Sequence, residues 1–276
     1  MGELGAAVRK DLRDVWSALL FELRKHVRRR RILIALLLAT LIPLLFYLVP
    51  LARNASYPAT STQFANSNLG FVSLLVLVSA AFFGGDAISS ELDKRTFLVS
   101  YAAPQRRTSM FVGKFLAAFI ATVAIASVYY AITFAEIGAV YGLDHAPAAY
   151  ATSYTFAVLY GILALAVAFT FSTLMRSTIT SNLLSFFTLL FILPIVGGVL
   201  SLAGVDPWLV PTTYSSLITQ VFGRASGFGG GFGGGNEAAI LNAFTPDFHT
   251  GLAVVAGWSV VLLLGSALVT SRRQME

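Results

Sequence analysis

The sequence predicts an all-α polytopic membrane protein, with six transmembrane helices preceded by an amphipathic interfacial helix and both termini cytoplasmic. Three observations carry that prediction. Of 276 residues, 57% are hydrophobic and 12% are charged, about half the ~25% charge of a soluble domain, and the mean hydropathy is +0.77. Six continuous apolar runs are each long enough, at ~1.5 Å per helical residue, to cross a hydrocarbon core of ~30 Å. The cations are sorted: of 19 Lys and Arg, only Arg53 and Arg224 fall in the connections on one side. The side rich in Lys and Arg is the cytoplasmic one.

Taken in order, residues 1–31 form a cytoplasmic unit. Val8, Leu12, Val15, Trp16, Leu19, Leu20 and Leu23 recur at spacings of three and four, while Arg9, Lys10, Arg13 and Asp14 lie off that stripe. The pattern is an amphipathic helix. Leu12, Trp16, Leu19, Leu20 and Leu23 are suited to the inner membrane interface, or to the protein's own cytoplasmic surface. Arg28, Arg29, Arg30 and Arg31 close the unit, and 19 uncharged residues follow from Ile32 to Pro50.

Residues 32–276 form the transmembrane domain, with spans expected at about 32–50, 69–88, 115–134, 154–174, 183–202 and 252–270. Continuous apolar runs exclude an outer-membrane barrel, whose strands alternate in polarity. Pro194, Gly197 and Gly198 predict an interruption of the fifth span, a kink or a discontinuous helix. Hydroxyl residues inside the spans, such as Thr122, Ser127, Thr170 and Ser185, predict close helix packing. Residues 89–114 form a cytoplasmic connection, and 203–251 form the longest outer loop. Its first half, Pro207 to Phe222, is apolar enough for a short interfacial helix or re-entrant hairpin. Its second half contains the glycine-rich run 227–235, which reads as a flexible connector.

Several chemistries are disfavoured. The formal charge of +6 sits beside apolar spans and not on a polar domain, so nucleic acid is not the expected partner. There is no cysteine. His26, His145 and His249 lie in separate segments with no ligand spacing, so no metal site is expected. Gly113-Lys114 lacks the upstream glycine of a phosphate-binding loop and is followed by Phe115. Any nucleotide that drives this chain, with its Mg, is therefore bound by another polypeptide, and the chain itself carries no catalytic residues or cofactor. Asp86 and Glu136 stand at the ends of spans, away from the midplane.

The most specific segment is the connection after the second span. It mixes both charge signs, in Glu91, Asp93, Lys94, Arg95, Arg106 and Arg107, with apolar Leu98, Val99 and Tyr101, and breaks at Pro104. Two short helices fit it, the first with Glu91 and Arg95 paired at i,i+4. Such a surface offers a soluble partner both charge complementarity and apolar anchors.

Glu91, Thr96, Leu98, Pro104, Arg106, Arg107, Gly113 and Lys114 resemble the matching stretch of the permease subunits of type 2 ABC exporters. In that family the stretch carries an acidic residue, Gly-Thr, Leu, Pro, basic residues and Gly-Lys. Arg95 stands where the family has its glycine. The layout also resembles that family over the whole chain: an amphipathic helix, six spans and a long outer loop before the sixth.

The resemblance implies an ATP-driven exporter subunit that docks a separate ABC ATPase through Glu91, Asp93, Lys94, Arg95, Thr96, Leu98, Pro104, Arg106 and Arg107. It implies a second permease copy or paralogue to complete the path, in a plasma membrane of prokaryotic type. The rival readings are a secondary carrier or channel, and a membrane anchor or assembly factor that moves nothing.

Overall fold

The computed structural model describes residues 2–93, 106–142, 147–223 and 246–272. Among them there is no β-strand, and six helices are long and apolar enough to cross a membrane. α1 (Gly2–Arg28) precedes α2 (Arg31–Ala52), the first of these. The second is built from α3 (Ser61–Leu69) and α4 (Val72–Gly84), and a turn leads from it into the short α5 (Ser89–Asp93). Then come α6 (Arg107–Tyr141) and α7 (Pro147–Leu174). The next is α8 (Thr178–Phe187), a π-helical turn (Thr188–Ile192) and α9 (Leu193–Leu202). A 3-10 turn (Pro211–Ser216), α10 (Leu217–Gln220) and α11 (Phe248–Arg272) complete the elements among the described residues.

The apolar runs are helical, except that turns interrupt the second at 70–71 and 85–88, and several helices extend beyond the apolar stretches. The second helical run begins at Ser61, not Leu69, and the third begins at Arg107, not Phe115. Consequently Asn66 and Asn68, outside the expected span, are buried. The fifth run is not broken. The π turn widens the helix just ahead of Pro194, whose ring would clash with the preceding turn of a regular α-helix and whose missing N–H leaves one carbonyl there without its donor, and the helix continues.

α4 and α7 form the centre of the bundle, where Phe83, Phe156, Tyr160, Leu163, Leu165 and Phe169 are fully buried. Small residues let these helices approach closely. A Cβ on Gly84 would sit 2.9 Å from that of Ala168, as in small-residue packing between membrane helices. Four of the hydroxyls inside the spans are satisfied locally: Thr122, Ser127, Thr170 and Ser185 each donate to a carbonyl one turn back. In contrast, α2, α9 and α11 turn large apolar side chains outward, among them Leu37, Val199 and Leu264. In water that surface would be unfavourable, and against lipid it costs nothing.

Beyond α9, the chain folds back onto the bundle. Tyr214, Leu217 and Ile218 are buried, Asn66 donates to the carbonyl of Gly223 at 2.7 Å, and Trp258 donates to that of Leu209 at 2.9 Å. Gly251 admits this segment, since a Cβ there would meet Leu217 and Tyr214. The glycine run at 227–235 lies outside the described residues.

Candidate functional site at the α1, α5 and α6 junction

At the end of the bundle that carries the arginine run, α1 lies against the start of α6. Gly113 makes the approach possible: a Cβ there would fall 2.6 Å from that of Ala18 and 2.8 Å from the Val15 carbonyl. The packed face of α1 is therefore Ala18, Leu19, Glu22 and His26, of which the last three are buried. This is a rotation of the apolar stripe read from the sequence. Of Leu12, Trp16, Leu19, Leu20 and Leu23, only Leu19 is buried; Leu20 and Leu23 are half-buried, and Leu12 and Trp16 are 63% and 60% exposed. The reason is the glycine, which draws α1 in along a neighbouring line.

The burial of Glu22 requires cations, and two converge on it. Lys25 pairs with it at 2.8 Å and Lys114 approaches at 4.0 Å. The Lys114 ammonium, almost fully buried, also pairs with Glu91 at 2.5 Å and donates to the carbonyl of Ala87 at 2.9 Å. Lys25 reaches Ser90 at 3.4 Å. The start of α5 is capped from another span: the Ser172 hydroxyl accepts from the amides of Ile88 and Ser89 at 2.9 and 3.0 Å, satisfying N–H groups a helix start leaves free. Thus α1, α5 and α6 share one chain of alternating charges.

Beside it lies a second ionic centre at the elbow between α1 and α2. Asp86, fully buried, receives Arg29 at 2.7 Å and Arg31 at 2.6 Å on the same carboxylate oxygen. Between these arginines, Arg30 adopts a left-handed conformation, φ 58°, which is unusual for a side chain with a Cβ. The two guanidinium groups thereby fix the direction in which the chain leaves α1. His26 stacks edge-on against Phe83, ring centres 4.9 Å apart. Burial pushes its imidazole below the ordinary value, opposed by Asp86 and Glu22 and reinforced by Lys25 and Arg31.

The residues expected to form a docking segment fall into three groups. Glu91 is turned inward to Lys114. Asp93 and Arg106 are at the surface, where Asp93 accepts from Thr178 at 3.2 Å and Arg106 pairs with Asp11 of α1 at 2.8 Å; Arg107 is exposed and donates to the Ser271 carbonyl at 3.4 Å. Lys94, Arg95, Thr96, Leu98 and Pro104 lie outside the described residues, and so does the expected Glu91–Arg95 pair.

Sequence reasoning missed Glu22, Lys25, Arg29, Arg31 and Asp86 as partners. The available signals were a carboxylate closing an apolar run, at Asp86, and an acidic residue one turn from Leu19, at Glu22. Glu136 also differs from expectation. It lies within α6 and is buried, accepting from Asn68 at 2.9 Å, whose own carbonyl accepts from Tyr129 at 2.8 Å. Among the described residues no group of three His, Cys, Asp or Glu converges as metal ligands.

Set against known protein families, residues 18–203, about two thirds of the chain, match the family described as "ABC-2 family transporter protein". No curated protein matches the chain.

Proposed function

We propose, from the premise that this chain belongs to the ABC-2 transporter family, that it is the permease subunit of an ATP-driven exporter. Membership makes it a multi-pass membrane component of an ABC transporter, whose energy comes from an ATPase subunit. On our reading, that ATPase is a separate chain that holds ATP and Mg and docks at the cytoplasmic end, against α1 and residues 91–107. A second permease copy or a paralogue completes the path, both termini are cytoplasmic, and the membrane is a prokaryotic plasma membrane.

One observation carries this reading: the ion-paired junction that makes α1, α5 and the start of α6 a single body. A partner that pushes on this end of the chain moves a rigid unit and not a loose loop. Because α6 and, through Asp86, α4 are fastened to that unit, its displacement becomes a tilt of two spans, a shear of packed helices. In this scheme Glu91 is a positioning residue, since Lys114 already occupies its carboxylate. Asp93, Arg106 and Arg107 are the accessible contacts.

The test is purification of the full chain from its native membrane through a C-terminal tag. A P-loop ATPase should accompany it at near-equal stoichiometry and be lost when Asp93 and Arg106 are charge-reversed, with the permease still monodisperse. A chain that comes alone, or transports down an ion gradient without ATP, overturns the proposal.

A further inference from the structure

Charges on α1 are sorted by side. Between positions 9 and 28 its acidic side chains turn toward the protein: Glu22 is buried, Asp11 pairs with Arg106, and Asp14 is half-covered with one oxygen fully enclosed. Arg9, Lys10, Arg13, Arg24 and Arg28 are all exposed, and among the described residues none of them enters an ion pair.

An apolar stripe runs beside those cations. Leu12, Trp16, Leu20, Leu23 and Val27 recur at spacings of four, four, three and four, so they share one face. Leu12, Trp16 and Val27 are more than half exposed. The stripe leads, through the clamped elbow at Arg30, into α2, whose Leu33, Ile34 and Leu37 are also more than half exposed. On α2 that surface can only be bilayer-facing or covered by another span. An apolar stripe continuous with it, flanked by cations and free of acids, matches the boundary between acyl chains and headgroups.

We infer that the exposed face of α1 is a binding surface for anionic phospholipid, with the apolar stripe set among acyl chains and Arg13, Arg24 and Arg28 on the headgroups. An uncharged leaflet would satisfy the stripe alone. The cations add affinity of about fivefold each near an anionic surface, and this contribution weakens as salt shortens the screening length. The inference deepens the proposed function, since the body that meets the ATPase would be held at the membrane by lipid charge. It concerns the isolated permease, so its test needs no ATPase.

The chain lacks cysteine, so Leu20→Cys provides a single labelling position for a polarity-sensitive fluorophore. The labelled full-length protein is reconstituted in vesicles of phosphatidylcholine, with or without phosphatidylglycerol. The expected result is a bluer emission and stronger quenching by bromine-labelled acyl chains when phosphatidylglycerol is present. That difference should shrink severalfold at high salt and in the R13Q/R24Q/R28Q variant, whose altered side chains are exposed and leave the fold intact. Equal signals in the two vesicle types, unmoved by the substitutions, would overturn the anionic preference. A water-like signal in both would overturn the lipid surface altogether and give this face to a protein partner. Either failure leaves the ABC-2 permease assignment standing.

Discussion

Replacing Asp86 by Asn should be among the most damaging single changes in this protein. The side chain keeps its shape but loses the one carboxylate that, among the described residues, pairs with Arg29 and Arg31, whose side chains are 29% and 27% exposed. Removing one partner of a buried ion pair costs about 3–5 kcal/mol. Because both guanidinium groups keep some access to water, the lower end applies, about 3 kcal/mol. At about 2–4 °C per kcal/mol for chains approaching this length, the thermal midpoint falls by roughly 6–12 °C. The assay is loss of the monodisperse peak of the full chain in detergent as temperature rises. Arg29→Gln alone leaves the Arg31 pair and should cost less, about 1–2 kcal/mol. The triple variant D86N/R29Q/R31Q removes both signs of charge, so it should recover most of the loss. A shift under about 2 °C for Asp86→Asn, or a triple variant no better than the single, would refute the view that Asp86 holds the elbow by charge.

Three further outcomes follow from the same junction. Gly113→Leu should force α1 off α6, since even a Cβ there meets Ala18 at 2.6 Å. The cost is about 1–3 kcal/mol, read as a lower melting midpoint and faster proteolysis of the α1 segment. Lys114→Met strands Glu91 and leaves Glu22 with Lys25 alone; it should destabilise by about 3–5 kcal/mol, while K114M/E91Q should regain part of it in a double-mutant cycle. The third outcome is a pH effect at His26. Its folded-state value lies below the ordinary 6.5, so the unfolded chain binds that proton first. Its contribution is fully present above pH 6.5 and is lost as the pH falls below it. His26→Leu, which keeps the contact with Phe83, should flatten the melting-midpoint profile between about pH 7.5 and pH 5.5.

The spans were readable in the sequence because lipid leaves a helix no other way to satisfy its backbone, so length and continuous apolarity suffice. Their ends were not. α6 has 35 residues, about 52 Å at helical rise, against a hydrocarbon core of ~30 Å, and its extra turns are amphipathic or polar. Those turns carry the junction. The arginine run was legible as a topology signal, but a cation count cannot say which member meets a carboxylate 57 positions away, as Arg29 meets Asp86. Likewise the pairing of Glu91 with Lys114 was hidden, because periodicity treats Lys114 only as the start of the next span. The apolar stripe of α1 can be read from the sequence, but the line along which α1 packs on α6 cannot, because that depends on the missing side chain of Gly113 on another element.

The use of charge at this junction has a physical logic of its own. In the bilayer, helices gain little by exchanging lipid for one another, so small residues and close packing hold the bundle together. At its end, where water begins, an apolar seam would attract α1 without fixing its rotation, since Leu19 could pack at several registers. Ion pairs are directional, and a buried one that is mismatched costs several kcal/mol. Lys114 between Glu22 and Glu91, with Asp86 between Arg29 and Arg31, therefore selects one register for α1 and one angle for the elbow at Arg30. On the proposed function, that selection is what a lever requires. If α1 could rotate on α6, a push from the proposed ATPase would be spent in slippage; clamped at two ionic centres, α1 would move α4 and α6 with it.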